Sequence, residues 1–201
     1  MTYRELFTVE ELARRLTHPS PVDHGLYSAV FVQVDTSHEG TLFLLDLAME
    51  LKNGGMQVIK MRGRDLIHSP LSAYSALSAS SEGDSKNRSE LTTTKALRDV
   101  VPLALQSPEK ITAILIDEAE VLLGEPGMPV MKAFKAARDA VNLNPGRVGR
   151  LAIVASCAKP VRVEQFVSDS DAAFFGAAAI QVRKHSQNDS FSVDGARDTD
   201  P

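Results

Sequence analysis

Residues 111–123, ITAILIDEAEVLL, constrain the fold of this chain more than any other stretch. An unbroken apolar run, 113–116, ends in two adjacent carboxylates, Asp117 and Glu118. A run with no polar alternation suits a strand covered on both faces, hence a central strand of a parallel sheet. The acid pair then stands at the carboxyl end of that strand, the edge where open α/β sheets bind their ligands.

The flanking sequence supplies partners for such a strand. Residues 29–34 (AVFVQV) read as a first strand, 42–52 as a helix, and Asn53, Gly54 and Gly55 as its stop. Residues 56–61 (MQVIKM) read as a second strand. Strand, helix, glycine turn and strand make a βαβ unit, so these two strands are expected to be parallel. After the acidic strand, 129–141 reads as a helix with Pro129 at its first position and Met131, Phe134, Ala137 and Ala140 facing the core. Residues 151–156 (LAIVAS) and 177–182 (AAAIQV) are two further buried strands, 161–175 is mixed with about one helical turn, and 190–193 forms a short edge strand. Near the amino end, Thr8 and Glu11 frame a capping box for a helix over 8–16.

The expected fold is α/β: a single doubly wound, mainly parallel five-stranded sheet with helices on both faces. Residues 1–27 read as an N-terminal helix and linker, 28–185 as the core, and 186–201 as a tail. Clustered Ser, Gly and charge over 69–90 predict a flexible insertion, because such a segment buries too little to offset its ordering entropy. Residues 91–105 read as a helix interrupted by Pro102.

This order of parts resembles the ASCE division of the P-loop NTPases, which includes RecA-like and AAA+ proteins, over about residues 28–183. LIDEAE is similar to the Walker B strand, and LAIVASC to the following strand, whose polar end residue corresponds to Ser156. The resemblance implies that Asp117 orders Mg²⁺, that Glu118 polarises the attacking water, and that Ser156 senses the γ-phosphate. It also implies a sheet in which the first strand lies beside the acidic strand and apart from the second.

The phosphate loop departs from the pattern. Laid on G-x-x-x-x-G-K-[ST], the eight positions are Asp35, Thr36, Ser37, His38, Glu39, Gly40, Thr41 and Leu42, and only Gly40 fits. Thr41 falls on the lysine position and Leu42 on the Mg²⁺ hydroxyl position. Asp35 and Glu39 add negative charge where a polyphosphate would approach. At about 4 Å and an effective dielectric of about 20, each opposes binding by about 4 kcal/mol before screening. The dipole at the helix start, worth about 0.3 to 1 kcal/mol, does not compensate.

The nucleotide-binding set implied by the resemblance is therefore reduced to Gly40, Thr41, Asp117 and Ser156, with Glu118 as the catalytic residue if the chain is an ATPase. Degenerate loops occur in RecA-like subunits retained for assembly. ILIDEAEVLLGEPG is similar to a segment of the small RecA-like accessory subunits of Elongator, through Asp117, Leu122 and Leu123. That resemblance implies a non-catalytic subunit of a hetero-oligomer acting in tRNA wobble-uridine modification. Its partners would be paralogous RecA-like subunits, with tRNA reached through the complex and no membrane. No cofactor is expected; ATP and Mg²⁺ enter only under the alternative, an AAA+ type ATPase with an unorthodox loop.

Lys132, Lys135 and Arg138, on the side of the 129–141 helix away from its core stripe, are candidate interface residues, since opposed charges at an edge set register. Arg147 and Arg150 suit a solvated turn better than a finger reaching a neighbour's nucleotide, and His38 suits an exposed loop better than a base. His18, His24, His68 and His185 lack metal-ligand spacing, so no metal site is assigned. The single cysteine, Cys157, follows a buried strand and reads as packing. One cysteine excludes an internal disulfide framework and suits a reducing, cytoplasmic compartment. The net charge of -4 argues against broad nucleic-acid binding by the whole chain.

Overall fold

In the computed structural model the described residues are 6–18, 28–68, 111–125, 127–143, 150–159, 161, 163–168, 172–174 and 177–182. The expected insertion over 69–90, the 91–105 helix, the 190–193 strand, the tail, His24, His185 and Arg147 lie outside them. The five core strands are β2 (Ala29–Val34), β3 (Gln57–Arg62), β4 (Thr112–Asp117), β5 (Leu151–Ala158) and β6 (Ala178–Val182). A two-residue strand, β1 (Leu6–Phe7), adds a sixth at one edge, and the spatial order is β1-β6-β2-β5-β4-β3. Every pairing is parallel. Among the described residues no helix is long and apolar enough to cross a membrane.

The strand order corrects one expectation. The first core strand, β2, is indeed apart from β3, but it does not lie beside the acidic strand, because β5 stands between β2 and β4. β5 pairs with both β2 and β4, and the registers Val32↔Ser156 and Ile116↔Ala155 carry Ser156 between their carboxyl ends.

At the amino end, the expected helix is preceded by a strand the sequence reading did not include: β1 pairs with β6 through Leu6↔Gln181 and Phe7↔Val182. Helix α1 (Val9–Thr17) buries Leu12, Ala13 and Leu16 in the same core as helix α2 (Ser37–Asn53). Its capping box is formed: the Glu11 N–H donates to Thr8 Oγ1 at 3.2 Å and the Thr8 N–H to Glu11 Oε2 at 3.0 Å.

The sheet separates two cores. On one face α1 and α2 pack Leu12, Leu16, Leu44, Leu47 and Leu51 on Val30, Val32, Leu115 and Val154. On the other, α3 (Gly63–His68), a 3₁₀ turn (Ala119–Leu122), α4 (Gly127–Asn142) and α5 (Glu164–Val167) cover Phe31, Ile59, Ile114 and Ile116. Phe31 stacks on Phe166 with centroids 4.8 Å apart and meets Phe174 at 5.3 Å. The helix after β2 and the helix after β5 therefore leave the sheet on opposite faces, and neighbouring strand ends separated in this way form a topological switch point.

Helix limits differ from expectation for local reasons. α2 begins at Ser37 because Thr36, in extended backbone, accepts the Glu39 N–H at 3.2 Å as its N-cap. Residues 37–41, expected as loop, are its first turn. It stops where Gly55 adopts φ 81, a left-handed conformation that glycine enters without penalty. α4 begins two residues before Pro129, and its buried stripe is Val130, Met131, Ala133, Phe134, Ala137 and Val141; Ala140 is exposed. At its end Asn142 takes both backbone groups of Leu151: its Nδ2 donates to the carbonyl at 2.9 Å, and its Oδ1 accepts the N–H at 2.8 Å. That clasp fixes the start of β5.

Candidate functional site

Asp117 gathers three elements at the carboxyl edge of the sheet. Thr41 Oγ1 of α2 lies 2.6 Å from its Oδ2, and Ser156 Oγ of β5 donates to its Oδ1 at 2.8 Å. The Glu118 N–H also donates to Oδ1, at 2.9 Å. Thr41 Oγ1 is in addition 3.0 Å from the Ser37 carbonyl. A hydroxyl has one proton, and the shorter contact to a charged acceptor takes it. Gly40 completes the cluster by close approach: a Cβ there would meet Ser156 Oγ at 3.0 Å and Val34 Cγ2 at 3.3 Å. The structure thus brings Gly40, Thr41, Asp117 and Ser156 together.

The hydroxyl facing Asp117 belongs to Thr41, whereas the motif register placed Leu42 there. Leu42 points outward and is exposed. The spatial register is one residue earlier, so Gly40 stands where the lysine of a phosphate loop would, and Glu39 where its second glycine would. The reason is length. Only Asp35 and Thr36 connect β2 to α2, so the helix starts early and its first turn rotates Thr41 onto the strand end.

That short connection is satisfied internally. Glu39 Oε2 accepts the Asp35 N–H at 3.1 Å, and Thr36 Oγ1 accepts the Glu39 N–H. Asp35 Oδ1 is paired with Lys159 Nζ at 2.7 Å, and Lys159 N–H donates to the Val34 carbonyl across the switch point. The repulsion expected from Asp35 is thereby reduced, although an exposed pair of this kind adds little stability. His38 is exposed on the first turn of α2.

Glu118 parts company with Asp117. It has φ 54, and among the described residues it is the non-glycine with positive φ. Its two carboxylate oxygens accept Arg64 Nε at 2.5 Å and Arg64 Nη2 at 2.9 Å. Gly63, just before Arg64, packs on the Glu118 carbonyl oxygen so tightly that any Cβ would collide with it. The acid named as a catalytic candidate is therefore held towards α3, and Asp117 towards α2 and β5. Glu120, the third acid of the motif, caps β5 by accepting the Ala158 N–H at 3.2 Å.

Two buried groups behind this edge carry no motif. Gln33, in β2, donates to the carbonyls of Cys157 and Val161, both at 3.0 Å, and accepts the Val163 N–H at 3.2 Å. It ties down the chain that follows β5, and a polar residue at the end of an otherwise apolar strand is the signal that could have found it. Cys157 is fully buried, and burial, with Glu120 and Glu164 nearby, pushes its thiol up to about 12. The thiolate is the reactive form. Iodoacetamide at pH 8 should accordingly leave the native chain unmodified and label Cys157 only after denaturation, as read by intact mass; rapid native labelling would contradict this packing.

The candidate interface residues on α4 do not form one free basic face. Lys132 is exposed, but Lys135 Nζ pairs with Asp139 at 2.6 Å, and Arg138 donates to the same carboxylate. The Arg138 side chain is only 14% exposed and lies 5.3 Å from the Phe174 centroid. Partial burial raises the Asp139 pKa, but hydrogen bonds and charge from Lys135 and Arg138 outweigh it and hold the carboxyl below its usual value. A depressed carboxyl stabilises the fold above its unfolded pKa, and that stabilisation is lost as pH falls through the folded pKa, below about pH 4. Because Arg138 is mostly buried against Phe174, Arg138→Glu should destabilise by about 1 to 3 kcal/mol, through a lost aromatic contact and two carboxylates brought together. Lys132→Glu should change stability by less than about 0.5 kcal/mol in the same urea titration. Arg150 is half-buried, and its carbonyl accepts the Thr112 N–H at 2.8 Å.

No protein-family model matches the chain, and no curated protein matches it. Solved structures do. The Orc1 protein of Aeropyrum pernix, solved in complex with DNA, superposes over 87% of this chain with TM-score 0.52 and 15% identity. The AAA domain of FIGL-1, solved with ADP, covers 90% of this chain with TM-score 0.44 and 16% identity. This chain spans 42% of the first structure and 57% of the second. With the parallel strand order, the Orc1 likeness shows the fold alone, an α/β sheet of the P-loop NTPase type.

Proposed function

We propose that this chain is a P-loop NTPase fold kept for assembly: a non-catalytic subunit of a hetero-oligomeric complex whose partners are proteins of related fold. The observation that carries the reading is the two-residue β2–α2 connection. A phosphate loop surrounds its ligand with free backbone N–H groups and a lysine. Here Glu39 occupies the Asp35 N–H, Thr36 occupies the Glu39 N–H, and Gly40 is pressed on Ser156 where the lysine would branch. Asp117 and the Thr41 hydroxyl are hard oxygen donors suited to Mg²⁺. The loop beside them does not fit a triphosphate, and no catalytic step is assigned. The finer reading, an Elongator accessory subunit acting in tRNA wobble-uridine modification, rests on the Asp117, Leu122 and Leu123 pattern.

A second reading is favoured by one specific observation. The contact of Thr41 and Ser156 with Asp117 is the arrangement a nucleotide-dependent AAA+ type ATPase would retain. Calorimetric titration with ATP and Mg²⁺ separates the two. The assembly reading expects no binding below millimolar concentration. Micromolar binding, with turnover abolished by Glu118→Gln, would establish the ATPase instead. The pair Thr41→Lys with Leu42→Thr is expected to restore little ATP affinity: it removes the hydroxyl that meets Asp117 and leaves Glu39 in place.

A further inference from the structure

We draw no further inference here: the strongest candidate, the exposed apolar stripe of Leu42, Leu45 and Met49 on α2 beside the α2–β3 cleft, carries nothing because exposed Asp46 lies on the same stripe, the cleft lining mixes Lys60 and Arg62 with Asp65 and Asp117, and nothing in the structure shows what covers this face.

Discussion

Asp117→Ala should lower the stability of this chain by about 3 kcal/mol, seen as a reduced urea midpoint with an unchanged slope. Three donors lose their acceptor at once: the hydroxyls of Thr41 and Ser156 and the N–H of Glu118. Ser156 is 2% exposed, so water does not readily replace the carboxylate. Hydrogen bonds to a charged acceptor are worth about 1.5 to 3 kcal/mol each, but they share one side chain and do not add in full. Asp117→Asn keeps one carbonyl acceptor and should lose less. If Asp117 were only a solvated carboxylate after a strand, both changes would stay within about 0.5 kcal/mol. That outcome would dismantle the cluster as a structural unit and, with it, the claim that the strand-end acid now serves to hold α2 and β5 to β4.

Phe31→Ala should be the most damaging single substitution on the opposite face, at about 3 to 5 kcal/mol. Phe31 is fully buried and is the ring on which Phe166 and Phe174 converge. Phe166 belongs to α5, and Phe174 supports Arg138 of α4. Truncation opens a cavity that several elements would have to close together. The same urea titration measures it, and a loss below about 1 kcal/mol would mean that these rings repack freely. Coupling with Arg138 can be read from a double-mutant cycle: Arg138→Ala should cost less in the Phe31→Ala background, because the Phe174 ring it stacks on is no longer anchored.

The β-strands and their shared direction were legible in the chain because parallel strands buried on both faces leave unbroken apolar runs, as at 113–116 and 151–155. The first helical cap was legible because Thr8 and Glu11 interact only with their own turn. Strand order was not, since β5 enters between β2 and β4 through contacts from distant parts of the chain. β1 was missed because two residues carry no periodicity and gain their place from β6 alone.

The candidate site divides in the same way. The resemblance to the P-loop NTPase pattern pointed to Gly40, Thr41, Asp117 and Ser156, residues on three separate elements. Which hydroxyl faces the carboxylate was decided by helix phase: an early N-cap at Thr36 turns Thr41 inward and Leu42 out, and one residue of shift is 100° of rotation on a helix of about 3.6 residues per turn. The partners of Glu118, Arg138 and Gln33 were likewise beyond the sequence, because Arg64, Phe174 and Val163 reach them only through the packed sheet. Local chemistry thus determined the strands, the first cap and the residue types at the edge. Long-range packing decided strand order, helix phase and the partner of each charge, because those depend on energies between segments far apart in the chain.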